Sequence, residues 1–182
     1  MPRYEYPCPS CGKPVRGYYR GTARDAERYG AWRAQRGAVC EACFAAQADA
    51  ENRAAAADPL NDVLPPLQGS EKQIAWGTRC RLDILPQIQS ARDEEVAWIT
   101  QRVAAEQFSQ LAVDELIDAT CLIAAEWIEE TDAGEWIDRR NWGPQSIRNR
   151  IAEHRSRRLK LLCPTAYAEI KARTRAGESR GS

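Results

Sequence analysis

Two Cys-x-x-Cys pairs constrain this chain more than any other feature: Cys8 and Cys11 in "YPCPSCGKP", and Cys40 and Cys43 in "VCEACF". Each turn can deliver two thiolates, and zinc takes four soft ligands in a tetrahedron. Gly12 permits a tight turn after the first pair, while Pro7 and Pro9 stiffen its approach. The second pair falls where a helix begins, so the helix dipole favours thiolate charge there. Four thiolates leave no open coordination position, so one zinc ion held this way is structural. The 28 residues between Cys11 and Cys40 exceed the usual ~15–20 between such pairs, so a hairpin or helix must fill the gap. Two local disulfides are the alternative. Seven cysteines is an odd number and no apolar leader follows Met1, so the expected setting is the cytoplasm, where thiols stay reduced.

Around the cysteines the chain resolves into three parts. Residues 1–57 read as a zinc module, of zinc-ribbon or treble-clef type, with a trailing helix. Within it Val15–Arg20 suits a short strand, and Thr22 suits the N-cap of a helix over 23–36 that stops at Gly37. The Ala-rich run from Cys40 is helical by propensity. Residues 58–70, with three prolines and a glycine, form the expected linker. Residues 71–182 carry helical periodicity and almost no strand signal, so the fold class is mainly α: a small four-cysteine module followed by an all-α domain.

In that domain Ser70 and Gln73 form a capping box. Trp76, Cys80, Ile84 and Ile88 follow on one face, with Pro86 expected to kink or end the helix. A second helix is expected near 92–108 on Val96, Ile99, Val103 and Phe108. The broad apolar stripe of 112–130, with Leu122 and Ile123 widening it, marks the most buried helix. A short turn of helix fits "AGEWIDRRNWGP", and basic helices are expected over 146–162 and 165–175. Cys80, Cys121 and Cys163 are expected in or near the core. No stretch approaches the ~18 apolar residues of a membrane span.

A net charge of zero conceals strong segregation. Residues 1–36 hold eight Arg and Lys against three acids, and 139–182 hold twelve against three; the middle, 37–138, holds six against twenty. "VRGYYRG" interleaves Arg16 and Arg20 with Tyr18 and Tyr19, a pattern that can meet phosphates and stack on bases. The tyrosines could instead form the module's small core. Arg148, Arg155 and Arg158, with their neighbours on 148–160, either contact phosphates or dock on the acidic helices of the same chain or of a second copy. The acidic helices are either a solvated face or a mimic of the phosphate backbone. His154 stands alone. There is no glycine-rich phosphate loop, G-x-S-x-G or H-E-x-x-H, and the adjacent acids Glu94/Glu95 and Glu129/Glu130 point apart on their helices. Binding is expected here, not catalysis.

"LQGSEKQIAWGTRCR" at 67–81 and "AGEWIDRRN" at 133–141 resemble a paired signature of small uncharacterised proteins of phages, plasmids and integrated elements, often preceded by a Cys-x-x-Cys module. Gly77 stands where alanine is usual in that signature. The resemblance implies a mobile-element context, where small non-enzymatic proteins handle nucleic acid or inhibit host defence. The leading expectation is therefore a zinc-binding adaptor that contacts DNA or RNA. The alternative is an anti-CRISPR-like inhibitor that binds a host nucleic-acid enzyme through its acidic helices or its zinc module. Trp76 and Trp136 are expected to anchor the core joining the two signature segments.

Overall fold

The computed structural model of the chain describes residues 1–104 and 109–178. The fold is mainly helical, with one two-stranded sheet among the described residues. It divides into two compact units, Met1–Ala54 and Ala55–Ser182.

The first unit begins with strands β1 (Arg3–Pro7) and β2 (Pro14–Tyr18), paired antiparallel with Arg3 opposite Tyr18 and Tyr6 opposite Val15. Alternation along β1 sends Tyr4 and Tyr6 to one face and Arg3 and Glu5 to the other. Helix α1 (Ala23–Gln35) packs on the tyrosine face, opened by a Thr22–Asp25 capping box. Gly30 makes that approach feasible, because a Cβ there would lie 3.2 Å from the Tyr4 Cβ. Tyr29 meets Tyr4, Tyr19 and Trp32 with ring centroids 5.0–5.7 Å apart. Helix α2 (Glu41–Ala56) follows, and none of its residues is buried. The start of β1 carries no strand signal beyond two alternating tyrosines. Hairpin closure across the first cysteine pair is what recruits it.

The second unit holds α3 (Glu71–Ala104), α4 (Gln110–Ile128), α5 (Ala133–Arg139), α6 (Pro144–Leu162) and α7 (Pro164–Glu178). The Ser70–Gln73 capping box forms as expected, with Ser70 Oγ 2.8 Å from Gln73 Oε1. Helix α3 does not stop at Pro86; it runs on for 34 residues. Pro86 sits on the exposed side, while Ile84, Leu85, Ile88 and Ala91 are buried before and after it. Burying four such side chains outweighs the ~3 kcal/mol that an interior proline costs. The two helices expected before and after residue 90 are therefore one. Phe108 lies outside the described residues, as do the side chains of Val103 and Leu162.

One core joins Cys80, Ile84, Ile88, Ile123, Ala124, Trp127, Trp136, Ile137, Ile147 and Ile151 from α3, α4, α5 and α6. A second joins Ile99, Val113, Leu116, Ala119 and Leu159, with Tyr167 and Cys163 against it. Trp136 is wholly buried, and its indole N–H donates to the Glu130 carbonyl at 2.9 Å. Trp76, expected beside it, is instead 38% exposed, with the Arg140 guanidinium 5.3 Å above its ring. The i, i+4 stripe is tilted: Gly77, Thr78 and Arg81 take the inner positions. Cys121 and Leu122 likewise face solvent, because α4 buries only the narrower stripe through Leu116, Thr120, Ile123 and Trp127.

Residues 58–70 carry structure of their own. Pro59–Asp62 is a turn of 3-10 helix capped by Asp58. The buried Arg81 donates to the Pro65 carbonyl at 2.7 Å and to Asn61 Oδ1 at 3.1 Å. Gln68 exchanges backbone hydrogen bonds with Thr131 and Ala133 at 2.7 and 3.0 Å. The start of α5 is thereby drawn onto α3 so closely that a Cβ at Gly77 would fall 2.9 Å from both the Ala133 Cβ and its carbonyl oxygen. Gly77→Ala should therefore destabilise the helical unit by about 1–3 kcal/mol in urea denaturation, although alanine is the better helix former by about 1 kcal/mol. A more stable alanine variant would mean that the α3–α5 spacing relaxes freely.

Candidate metal centre and basic surfaces

The knuckle that joins β1 to β2 places Cys8 and Cys11, and the first turn of α2 places Cys40 and Cys43. Gly12 turns at φ 71°, donating its N–H to the Cys8 carbonyl at 2.9 Å, and the Cys8 N–H donates to the Lys13 carbonyl at 2.8 Å. All four sulfurs then lie within 4.8 Å of one another, a set that could hold a metal ion. The 28-residue gap is filled by β2 and α1, which answers the long spacing with a strand and a helix. No disulfide joins any cysteine pair among the described residues, and all seven cysteines are free thiols.

Backbone amides beside the sulfurs suit thiolates. The Cys40 N–H donates to Cys8 Sγ at 3.3 Å and the Cys43 N–H to Cys40 Sγ at 3.5 Å. The Cys40 amide, helped by those of Cys11 and Ser10, holds the Cys8 thiol down to about 6 despite its burial. Cys43 moves the other way, pushed up to about 12 by hydrogen bonding with the Cys11 and Cys40 sulfurs and by burial. Four thiols gathered this tightly cannot all ionise alone, and a divalent cation at their centre removes that conflict. Cys8 is 2% exposed and Cys11 is open to solvent, so the site is closed below and reachable from one side.

The remaining cysteines lie elsewhere. Burial pushes the Cys80 thiol up, and a 2.9 Å hydrogen bond to Glu115 Oε2 does the same to the half-buried Cys163. His154 is exposed, its ring edge-on to Trp127 at 5.8 Å.

The two basic segments fare differently. On the hairpin's outer face Tyr18 is 62% exposed, with the Arg3 guanidinium 5.3 Å from its ring. Arg16 lies on that face, paired with Glu5 at 2.9 Å, and Arg20 is exposed beyond it. Tyr19 turns inward against Tyr29. On α6 the arginines face the acidic helices of their own unit: Arg148 pairs with Glu94, Arg155 with Glu95 at 2.8 Å, and Arg158 with Glu126 at 2.6 Å. Arg155 also reaches Thr120 Oγ1 at 3.5 Å and is buried. Of the two dockings open to this helix, the intramolecular one is made. Sequence periodicity placed these arginines around a helix but carried no information on which carboxylates they would meet.

No family model, curated protein or solved structure matches the chain.

The ion pairs and the cysteine cluster each set expectations that experiment can check. The Arg155–Glu95 pair is largely enclosed, with side chains 10% and 18% exposed, so Arg155→Ala should cost roughly 1–3 kcal/mol of unfolding free energy by leaving a mostly buried carboxylate without its partner. The half-exposed Arg148–Glu94 pair should be worth only about 0–1 kcal/mol by double-mutant cycle; equal costs would contradict the burial difference. The protein should bind one divalent ion per chain, and Co²⁺ substitution should give the visible bands of a tetrahedral thiolate site. Acid should release the ion, because protons compete for the thiolates. Cys8→Ser with Cys11→Ser should unfold the first unit and leave most helical circular dichroism intact.

Proposed function

We propose that the chain is a non-enzymatic zinc protein of a mobile genetic element, whose metal module binds nucleic acid. Zinc is the ion favoured by the donor set. Bonds of about 2.3 Å in a tetrahedron put sulfurs ~3.8 Å apart, and Cys11 Sγ and Cys40 Sγ lie 3.7 Å apart. Closed by four thiolates, the ion supports the fold and has no position left for substrate.

The observation that carries the nucleic-acid reading is the outer face of the β1–β2 hairpin. Tyr18 stands out with Arg3 against its ring, and Arg16 and Arg20 flank it. An exposed ring among guanidinium groups is the pairing that stacks on unpaired bases while neutralising phosphates. Arg155 is enclosed against Glu95, and Arg148 and Arg158 are less exposed than Arg16 and pair with Glu94 and Glu126, so the leading phosphate contacts are assigned to the module. The same ion pairs engage three carboxylates that an acidic mimic would use, while an inhibitor that binds through its zinc module is untouched by them. The mobile-element setting rests on the resemblance of the "GSEKQIAW" and "WIDRR" segments.

The test is fluorescence anisotropy of the zinc-loaded chain with single- and double-stranded DNA and RNA at low and near-physiological salt. Micromolar or tighter binding that weakens steeply with salt is expected. Arg16→Ala, Tyr18→Ala and Arg20→Ala should weaken it, and Arg148→Ala should leave it unchanged. No binding at low salt would remove the reading.

A further inference from the structure

A groove of about 750 Å³ opens within the metal module, between β2, the α1–α2 turn and the first turns of α2. Phe44 forms part of its wall with 66% of its surface exposed, on a helix that buries none of its residues. An exposed phenylalanine there contributes little to the module's own core. Val39 adds apolar surface, and Arg16 and Arg33 line the same groove. The Arg16–Glu5 ion pair is open to water, with side chains 68% and 55% exposed, so it is weak and can exchange its partner for a phosphate. Arg33 donates one hydrogen bond, at 3.4 Å, to Tyr4 Oη, and a guanidinium carries five N–H donors. Glu41, in the first turn of α2, is the one carboxylate of the lining.

We propose that this groove receives one nucleotide of a single-stranded nucleic acid, its base on the Phe44 ring and its phosphate on Arg16 and Arg33. The proposal rests on the nucleic-acid reading above and extends it past the hairpin face, with Arg16 shared by both surfaces. One aromatic ring beside two guanidinium groups matches a base joined to a phosphate. A duplex keeps its bases stacked away from such a ring, so the site selects for single strands.

The experiment uses the full zinc-loaded chain and fluorescein-labelled oligo(dT), read by anisotropy, with the Co²⁺ spectrum as a check that each variant keeps its metal module. Because Phe44 is exposed, its replacement should leave the fold intact. Phe44→Ala should weaken binding about tenfold, Phe44→Tyr should retain it, and unlabelled duplex of equal length should compete poorly. If the parent binds and Phe44→Ala binds equally well, the groove is not the site, while the hairpin reading stands. Duplex competing as well as single strand would also overturn the groove. A parent that binds no oligonucleotide removes both.

Discussion

The helical unit depends on the meeting of α6 with the carboxylates of α3 and α4. Thirteen of the acids lie between residues 93 and 138, where Arg102 is the only base. Helices so charged repel one another, and a net charge of zero for the whole chain does nothing to relieve them locally. Relief comes from three arginines of α6, and their burial grades their worth. Arg148 and Arg158 reach half-exposed carboxylates, where water already screens the charge. Arg155 is different: it is buried against Glu95, with Thr120 beside it, so rotating α6 away from Glu95 would strand its charge. Ile147 and Ile151, on the same helix, then enter the core. Packing and charge thus select one register together.

Two other buried cations show different solutions to the same problem. Arg139 sits between the rings of Trp136 and Trp142, at 5.1 and 5.5 Å, with Glu130 and Glu135 each 3.6 Å away. Arg81 is 2% exposed and hydrogen-bonds to a carbonyl and an amide oxygen instead of a carboxylate. Its task is to hold the Pro-rich stretch in place. The first unit works on another principle. Its fully buried set is small, Tyr6, Cys8 and Ala26 foremost, and a cluster of tyrosine rings cannot by itself offset the chain entropy of some fifty ordered residues. A metal ion held by the four clustered cysteines would supply what the core lacks.

What was legible in the sequence was local. The cysteine spacing, the Thr22 and Ser70 caps and the helical period of 112–130 each depend on neighbours within a turn or two, and each appears in the structure as read. What escaped depends on partners far along the chain. Pro86 has the chemistry of a helix terminator, and only the burial on both sides of it carries the helix through. Trp76 has the chemistry of a core residue. It faces outward because the inner position beside it is claimed by the contact of Gly77 with Ala133. Cys121 keeps the period of the apolar stripe and Leu122 and Ile123 widen it, yet the neighbouring helices cover Ile123 and leave Cys121 and Leu122 to solvent. The destinations of the α6 arginines were two open alternatives, since a charge run on a helix does not name its counter-ions. At the candidate metal centre all four cysteines were legible, whereas Phe44, one residue past Cys43, carries no signal until the groove is formed around it.

The approach of α5 to α3 has a consequence for how this sequence can drift. With a Cβ at position 77 excluded by the atoms of Ala133, the two positions share one volume and cannot be exchanged independently. A chain that carries alanine at 77 must let the backbone at 133 step back, because the carbonyl oxygen there lies as near as the methyl group. Stepping back would pull on the Gln68 hydrogen bonds to Thr131 and Ala133. The Gln68 hydrogen bonds to Thr131 and Ala133, Gly77 and Ala133 are therefore coupled, so that a change at any one of them alters what the others can accept.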